Sequence, residues 1–335
     1  GIGDKTEAVT GSCSPKDFET MMQLTYLTFT APRRDNDAFA SYKNRSKAEL
    51  QNMDLNPSSS FSDSITSTLY MKHPRMLRMK ADMVDKMNYD KILSMYQDRF
   101  KDASDFTFIL VGNVDVEAVK PLIESYLGSL PSINRKETFK DNHIAMRKGI
   151  YKNEFIRQQE TPKVNNFICY SGTCQYNLRN DILMSMTDQL LNLIYTEKVR
   201  EDEGGTYGVY PMGQLVKYPV ERAVLQIFFN TAPAKQEKLM KIIYAEADAF
   251  AKNGPDEASL NKVKEYMLKK HNEDLKENGY WLNSIDEYLY TGIDPVKDYE
   301  QIVNSITAKD VRQFANELLK QQNQITVSMI SPEKK

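Results

Sequence analysis

Apolar and polar residues alternate along this chain with two periods, and the switches between them mark its elements. Around Leu190, Leu191, Leu193, Ile194 and Val199 the spacing is helical, so residues 178–200 are predicted to be a helix with one buried face. Gly204-Gly205 should stop it, because adjacent glycines adopt backbone angles that other residues reach only at a cost. Beyond the glycines, 206–216 and 223–229 alternate with period two and read as a hairpin turning at Tyr218-Pro219. Helices are expected at 15–29, 35–53 and 61–70, with 56–60 a loop. Two more are expected at 89–100 behind an Asn88 cap and at 116–127 behind Asp115. The continuous apolar run 106–111 reads as a strand, as do 155–159, 164–170 and 324–330. The remaining helices are expected at 235–252, 256–276 with Pro255 at its start, 281–290 and 308–319. Thr307 and Asp310 open the last with a capping box.

The pattern occurs twice. Residues 21–26 (MMQLTY) parallel 239–244 (LMKIIY), and 62–70 (SDSITSTLY) parallel 282–290 (LNSIDEYLY). Residues 83–87 parallel 302–306, and 106–112 parallel 325–331, at almost the same offset and in the same order. The expected fold is therefore α+β with duplicated domains, each an antiparallel sheet with helices packed on one face. Only the second copy is preceded by strand-rich chain, residues 148–231, so the first copy reads as truncated at its N-terminus, the alternative being a smaller first domain that never had those strands. Residues 131–148 are polar and weakly patterned, which places a linker at 134–147 between domains 1–133 and 148–335.

Composition narrows the function classes. The 335 residues are 41% hydrophobic and 27% charged, with 44 basic and 46 acidic side chains, so no positive field invites nucleic acid. No apolar run approaches the ~20 residues of a membrane span, and no apolar N-terminal stretch reads as a signal peptide. Cys13, Cys169 and Cys174 are an odd set without C-x-x-C spacing, expected as three free thiols, with Cys169 a small hydrophobe in a strand. The histidines, His73, His143 and His271, form no zinc motif and are expected to be solvated. Gly112-Asn113-Val114-Asp115 lacks the glycines and lysine of a phosphate loop, and Glu201-Asp202-Glu203 reads as a solvated charge run.

One constellation remains. Arg200 in the last helical turn and Tyr207 at the start of the next strand flank the Gly204-Gly205 turn. A guanidinium and a phenol offer several donors to a peptide carbonyl gaining negative charge. The same residues also fit a helix-end arginine meeting its own carbonyls and a half-buried strand tyrosine.

Residues 200–208 (REDEGGTYG) resemble the Arg-x6-Tyr segment of the pitrilysin, insulin-degrading-enzyme and mitochondrial-processing-peptidase family of zinc metallopeptidases, the inverzincins. Residues 106–131 (FTFILVGNVDVEAVKPLIESYLGSLP) resemble that family's strand–GN-x-D–helix–YLGSLP block, and the duplication fits its repeated α+β domains. The closest likeness is to the C-terminal half of a bacterial two-half member, periplasmic or cytoplasmic. The resemblance implies that Tyr207 hydrogen-bonds the scissile carbonyl as it becomes an oxyanion and that Arg200 holds a neighbouring substrate carbonyl. It implies a zinc site in an N-terminal catalytic half, in the same polypeptide or a separate chain, with none in this chain, which carries no H-x-x-E-H. Peptides would be the substrates, hydrolysed inside a closing chamber. The alternative within the family is a non-catalytic scaffold or binding homologue.

Overall fold

The computed structural model describes residues 1–201, 206 and 208–332, with residues 200 and 201 described by their backbone alone. In chain order the helices are α1 Phe18–Thr30, α2 Asn36–Leu55, α3 Pro57–Leu69, α4 Ala81–Asp85, α5 Tyr89–Phe100 and α6 Val116–Tyr126. Strands β1 Ile150–Ile156 and β2 Lys163–Thr173 follow, then α7 Leu178–Tyr195, a π-helical turn Thr196–Glu201, and strands β3 Val209–Val216 and β4 Arg222–Thr231. The chain ends with α8 Gln236–Asn253, α9 Glu257–Asp274, α10 Asn278–Thr291, α11 Tyr299–Ser305, α12 Ala308–Leu319 and β5 Gln324–Ser331. The mixture is α+β, and no described helix is long and apolar enough to cross a membrane.

The order of helices repeats. Starts at 18, 36, 57, 81 and 89 are answered at 236, 257, 278, 299 and 308, offsets of 218 to 221 residues. The N-caps repeat as well, Asn88 accepting from the Lys91 N–H and Thr307 completing its capping box with Asp310.

The chain divides into two compact units, Gly1–Met53 with Met79–Lys140, and Asp54–Arg78 with Asp141–Lys335. The first is helical around Phe29, Phe100 and Leu130, with Phe29 meeting the Phe100 ring at 5.2 Å and the Phe106 ring at 4.8 Å. Residues 106–111 are no strand: among the described residues nothing pairs with them, and a strand exists only through a neighbour's hydrogen bonds. Phe106 and Phe108 turn their rings to Phe29 of this aromatic core instead. The described residues of this unit hold no sheet, only a bridge between Ile2 and Glu7. Fully buried Asp102 pins residues 133–135 by accepting from the Ile133 and Arg135 N–H groups. Burial alone would raise its pKa, but hydrogen bonds from Ser104, Ile133 and Arg135 outweigh that and hold it well below the usual carboxylate range.

The second unit is built on a five-stranded sheet of order β1-β5-β2-β4-β3. Three of its four pairings are antiparallel. The β1–β5 pair is parallel, a departure from the all-antiparallel expectation, because the chain re-enters at β5 only after crossing the helix layer. One face carries α7, α8, α9, α11 and α12 over a core that includes Leu190, Leu191, Tyr195, Ile227 and Val311. Truncating such a side chain to alanine costs about 2–5 kcal/mol. The other face carries α3, whose Ile65 and Leu69 pack on Phe167, Cys169, Val224, Ile325 and Val327. That helix starts at Pro57, inside the run expected to be a loop, since Asn56 caps it and proline suits the first helical position. The three cysteines are free, and burial pushes the Cys169 thiol up to about 12.

Candidate functional site

Everything at the site depends on how α7 ends and β3 begins. α7 starts behind Asn177, whose side chain accepts from the Asn180 N–H at 2.9 Å. It buries an almost unbroken row through to Tyr195, whose hydroxyl donates to the Ile243 carbonyl at 3.2 Å. From Thr196 the helix widens to a π turn, where a run of regular α-helix to Arg200 was expected; such turns recur at functional sites. Val199 stays fully buried, which fixes the direction in which the backbone of Arg200 leaves the core. The Arg200 side chain, Gly204, Gly205 and Tyr207 lie outside the described residues.

On the far side of that segment the chain is again anchored. The Thr206 hydroxyl donates to the Gly208 carbonyl at 3.0 Å and accepts from the Gly208 N–H at 3.2 Å, and Val209 is buried in the same core as Val199. Residues 200–208 therefore span two fixed points of one hydrophobic cluster.

A clamp that the sequence reading missed joins the two elements. Asp188 on α7 accepts from the Gly213 N–H of β3 at 3.0 Å. A side chain at Gly213 would meet Met184, its Cβ lying 2.6 Å from Cγ and 3.1 Å from the carbonyl oxygen, so only glycine allows this approach. Burial pushes the Asp188 carboxyl up to about 6, against the hydrogen bonds from Gly213 and Gln189. Asp181, one heptad earlier, also rises to about 6 through burial and the nearby Glu287 carboxylate, which accepts from the Tyr176 hydroxyl at 2.7 Å. The available signal was two acids seven residues apart on a helix otherwise apolar on that side.

Zinc does not fit the histidines. His73 caps a 3-10 turn by accepting from the Arg75 N–H, and His143 is exposed beside Asp141. His271, expected to be solvated, is instead buried: its ring stacks on Tyr299 at 4.3 Å and its Nδ1 lies 3.1 Å from the Tyr280 hydroxyl. Its charged neighbours along the sequence occupy the outer side of α9 while it takes the inner side. Among the described residues no group of three or more His, Cys, Asp or Glu side chains could hold a metal. Two cavities are lined by none of the described residues of 196–208. One, of about 250 Å³, is lined by Lys152, Glu154, Gln236 and Tyr244 among others, and the second, of about 160 Å³, by Tyr266, His271, Tyr280 and Tyr299 among others.

Residues 86–267 match the family described as the peptidase M16 inactive domain. The probable zinc protease PqqL of Haemophilus influenzae is 21% identical over 306 residues, 87% of this chain and 32% of that protein. A PQQL-like zinc protease of Arabidopsis thaliana is 23% identical over 290 residues, 80% of this chain and 30% of that protein. The chain spans about a third of the length of these curated relatives. In structure it is similar to the periplasmic protease PqqL from Escherichia coli, with a TM-score of 0.80 at 18% identity over 95% of this chain and 35% of that one. It also matches the first half of the same protease, with a TM-score of 0.75 at 15% identity, covering 95% of this chain and 71% of that one.

Proposed function

Because the chain belongs to the peptidase M16 inactive-domain family, we propose that it is the C-terminal, substrate-binding half of a zinc-dependent endopeptidase. Its partner is an N-terminal catalytic half that carries the zinc, and its substrates are peptides. The observation that carries this reading is that Val199, in the π turn, and Val209, at the start of β3, belong to one core and so bracket residues 200–208. Arg200 leaves the last turn of that helix and Tyr207 stands two residues before β3. In this reading the Tyr207 hydroxyl donates to the scissile carbonyl as negative charge develops, and Arg200 holds a neighbouring substrate carbonyl. Both act as preorganised donors, which stabilise the transition state more than the ground state. The domain organisation that accompanies it is a first peptidase-like domain at 1–133 and a second at 148–335, joined by 134–147.

The test is Tyr207→Phe in the zinc-bearing full-length enzyme, or in the two halves recombined. The expected result is a drop in kcat of roughly 10²–10³-fold with KM and melting temperature little changed. Turnover at the wild-type level would remove Tyr207 from the site and favour a non-catalytic scaffold of the same fold.

A further inference from the structure

The free edge of β1 is self-complementary. Among the described residues β1 pairs with β5 alone, so its other edge is open. Hydrogen bonds at the two ends of that pair, Gln324 N–H to the Gly149 carbonyl and Arg157 N–H to the Ile330 carbonyl, set the parity of the strand. Odd-numbered residues face β5. The N–H and C=O groups of Ile150, Lys152, Glu154 and Ile156 therefore point outward. Ile150 and Ile156 are 72% and 73% exposed, and no proline or bulge interrupts the run between them.

The sequence of this strand, IYKNEFI, is a chemical palindrome about Asn153. An antiparallel copy placed on a two-fold axis through Asn153 sets Ile150 against Ile156, Tyr151 against Phe155 and Lys152 against Glu154. Each outward-facing residue then meets another outward-facing residue, the hydrogen-bonded pairing an antiparallel ladder requires. A slip of two residues either way places Lys152 against Lys152 or Glu154 against Glu154, and a slip of one destroys the parity. The charges thus select one register. Within one chain Lys152 and Glu154 already pair at 2.8 Å on the face toward α8, so two copies would form an alternating four-charge cluster. The cavity of about 250 Å³ between β1 and α8 leaves room for it.

We propose that two copies of this chain associate through β1, antiparallel about Asn153, into one continuous sheet. The inference is independent of the proposed peptidase role. The test is sedimentation equilibrium on the 335-residue chain and its variants. A dimer is expected for the wild type. Lys152→Glu and Glu154→Lys should each weaken it by at least about tenfold in Kd, because both opposed pairs become like-charged. The double swap, Lys152→Glu with Glu154→Lys, should restore it. Glu154→Pro, which removes an outward N–H without touching the β5 ladder, should abolish it while the circular dichroism spectrum is retained. Slowed hydrogen exchange of the Lys152, Glu154 and Ile156 amides at high protein concentration would support the same contact. A wild type that stays monomeric up to about 1 mM overturns the proposal, and so does a dimer that the single swaps leave intact or the double swap fails to rescue.

Discussion

The two outer strands of one sheet, β3 and β1, treat their unpaired backbone in opposite ways. Along the middle of β3 the outward positions are Pro211, which has no N–H, and Gly213, whose N–H is already given to Asp188. That edge is closed to a further strand by chemistry that natural sheets use against aggregation. β1 carries no such device, and its outward Lys152 and Glu154 alternate in sign instead of repelling a copy of themselves. A blunted edge serves where the strand must hold a fixed position, here against α7 through the Asp188–Gly213 hydrogen bond. An open edge serves where pairing is tolerated or used.

Breaking the closed edge should cost most. Gly213→Val forces a side chain into buried Met184 and its carbonyl, and is expected to destabilise the fold by about 1–3 kcal/mol, read as a lower urea midpoint. Ile156→Val at the open edge should change the unfolding free energy by less than about 0.5 kcal/mol.

Next in size is a pH effect. Asp188 and Asp181 bind protons more tightly folded, at about 6, than the ~3.9 of a free aspartate. Their buried charge therefore destabilises the native state at neutral pH, and protonation relieves it as the pH falls from about 6 towards about 4. Melting temperature should rise between pH 7 and pH 5. Asp188→Asn should flatten that rise, while keeping an acceptor for Gly213. Groups shifted the other way, such as Asp98 held at about 2 by Lys101 and Arg99, withdraw stability only at lower pH. A melting temperature that falls over this window would contradict the burial assigned to the two acids.

The smallest effect belongs to the open edge. Lys152→Ala removes an exposed ion pair and should change the stability of an isolated chain by less than about 0.5 kcal/mol. A larger loss would mean that β1 is held by that pair, and the contrast between the edges would narrow.

Much of this fold was legible in the sequence wherever the signal is local. The caps at Asn88, Asp115 and Thr307 stand where their helices start, and the hairpin turns at Tyr218-Pro219 as its alternation required. The short helices α4 and α11 escaped notice because five and seven residues hold too few turns to show a period. β1 was expected some residues late, at 155–159, because an edge strand is exposed and loses the alternation that marks a half-buried one. Of the candidate site, the helix end and the strand start were readable, and the Asp188–Gly213 clamp between them was not.

The amino-acid order alone set which segments coil, where they are capped, that the helix series occurs twice, and the motif at 200–208. Tertiary structure decided that Phe106 joins an aromatic core rather than a strand, that α3 covers a face of the second unit's sheet, and that His271 turns inward. It also decided which sheet edge is sealed. The physical reason is range: a helix closes its hydrogen bonds within four residues, whereas β1 finds its partner 174 residues later, at β5.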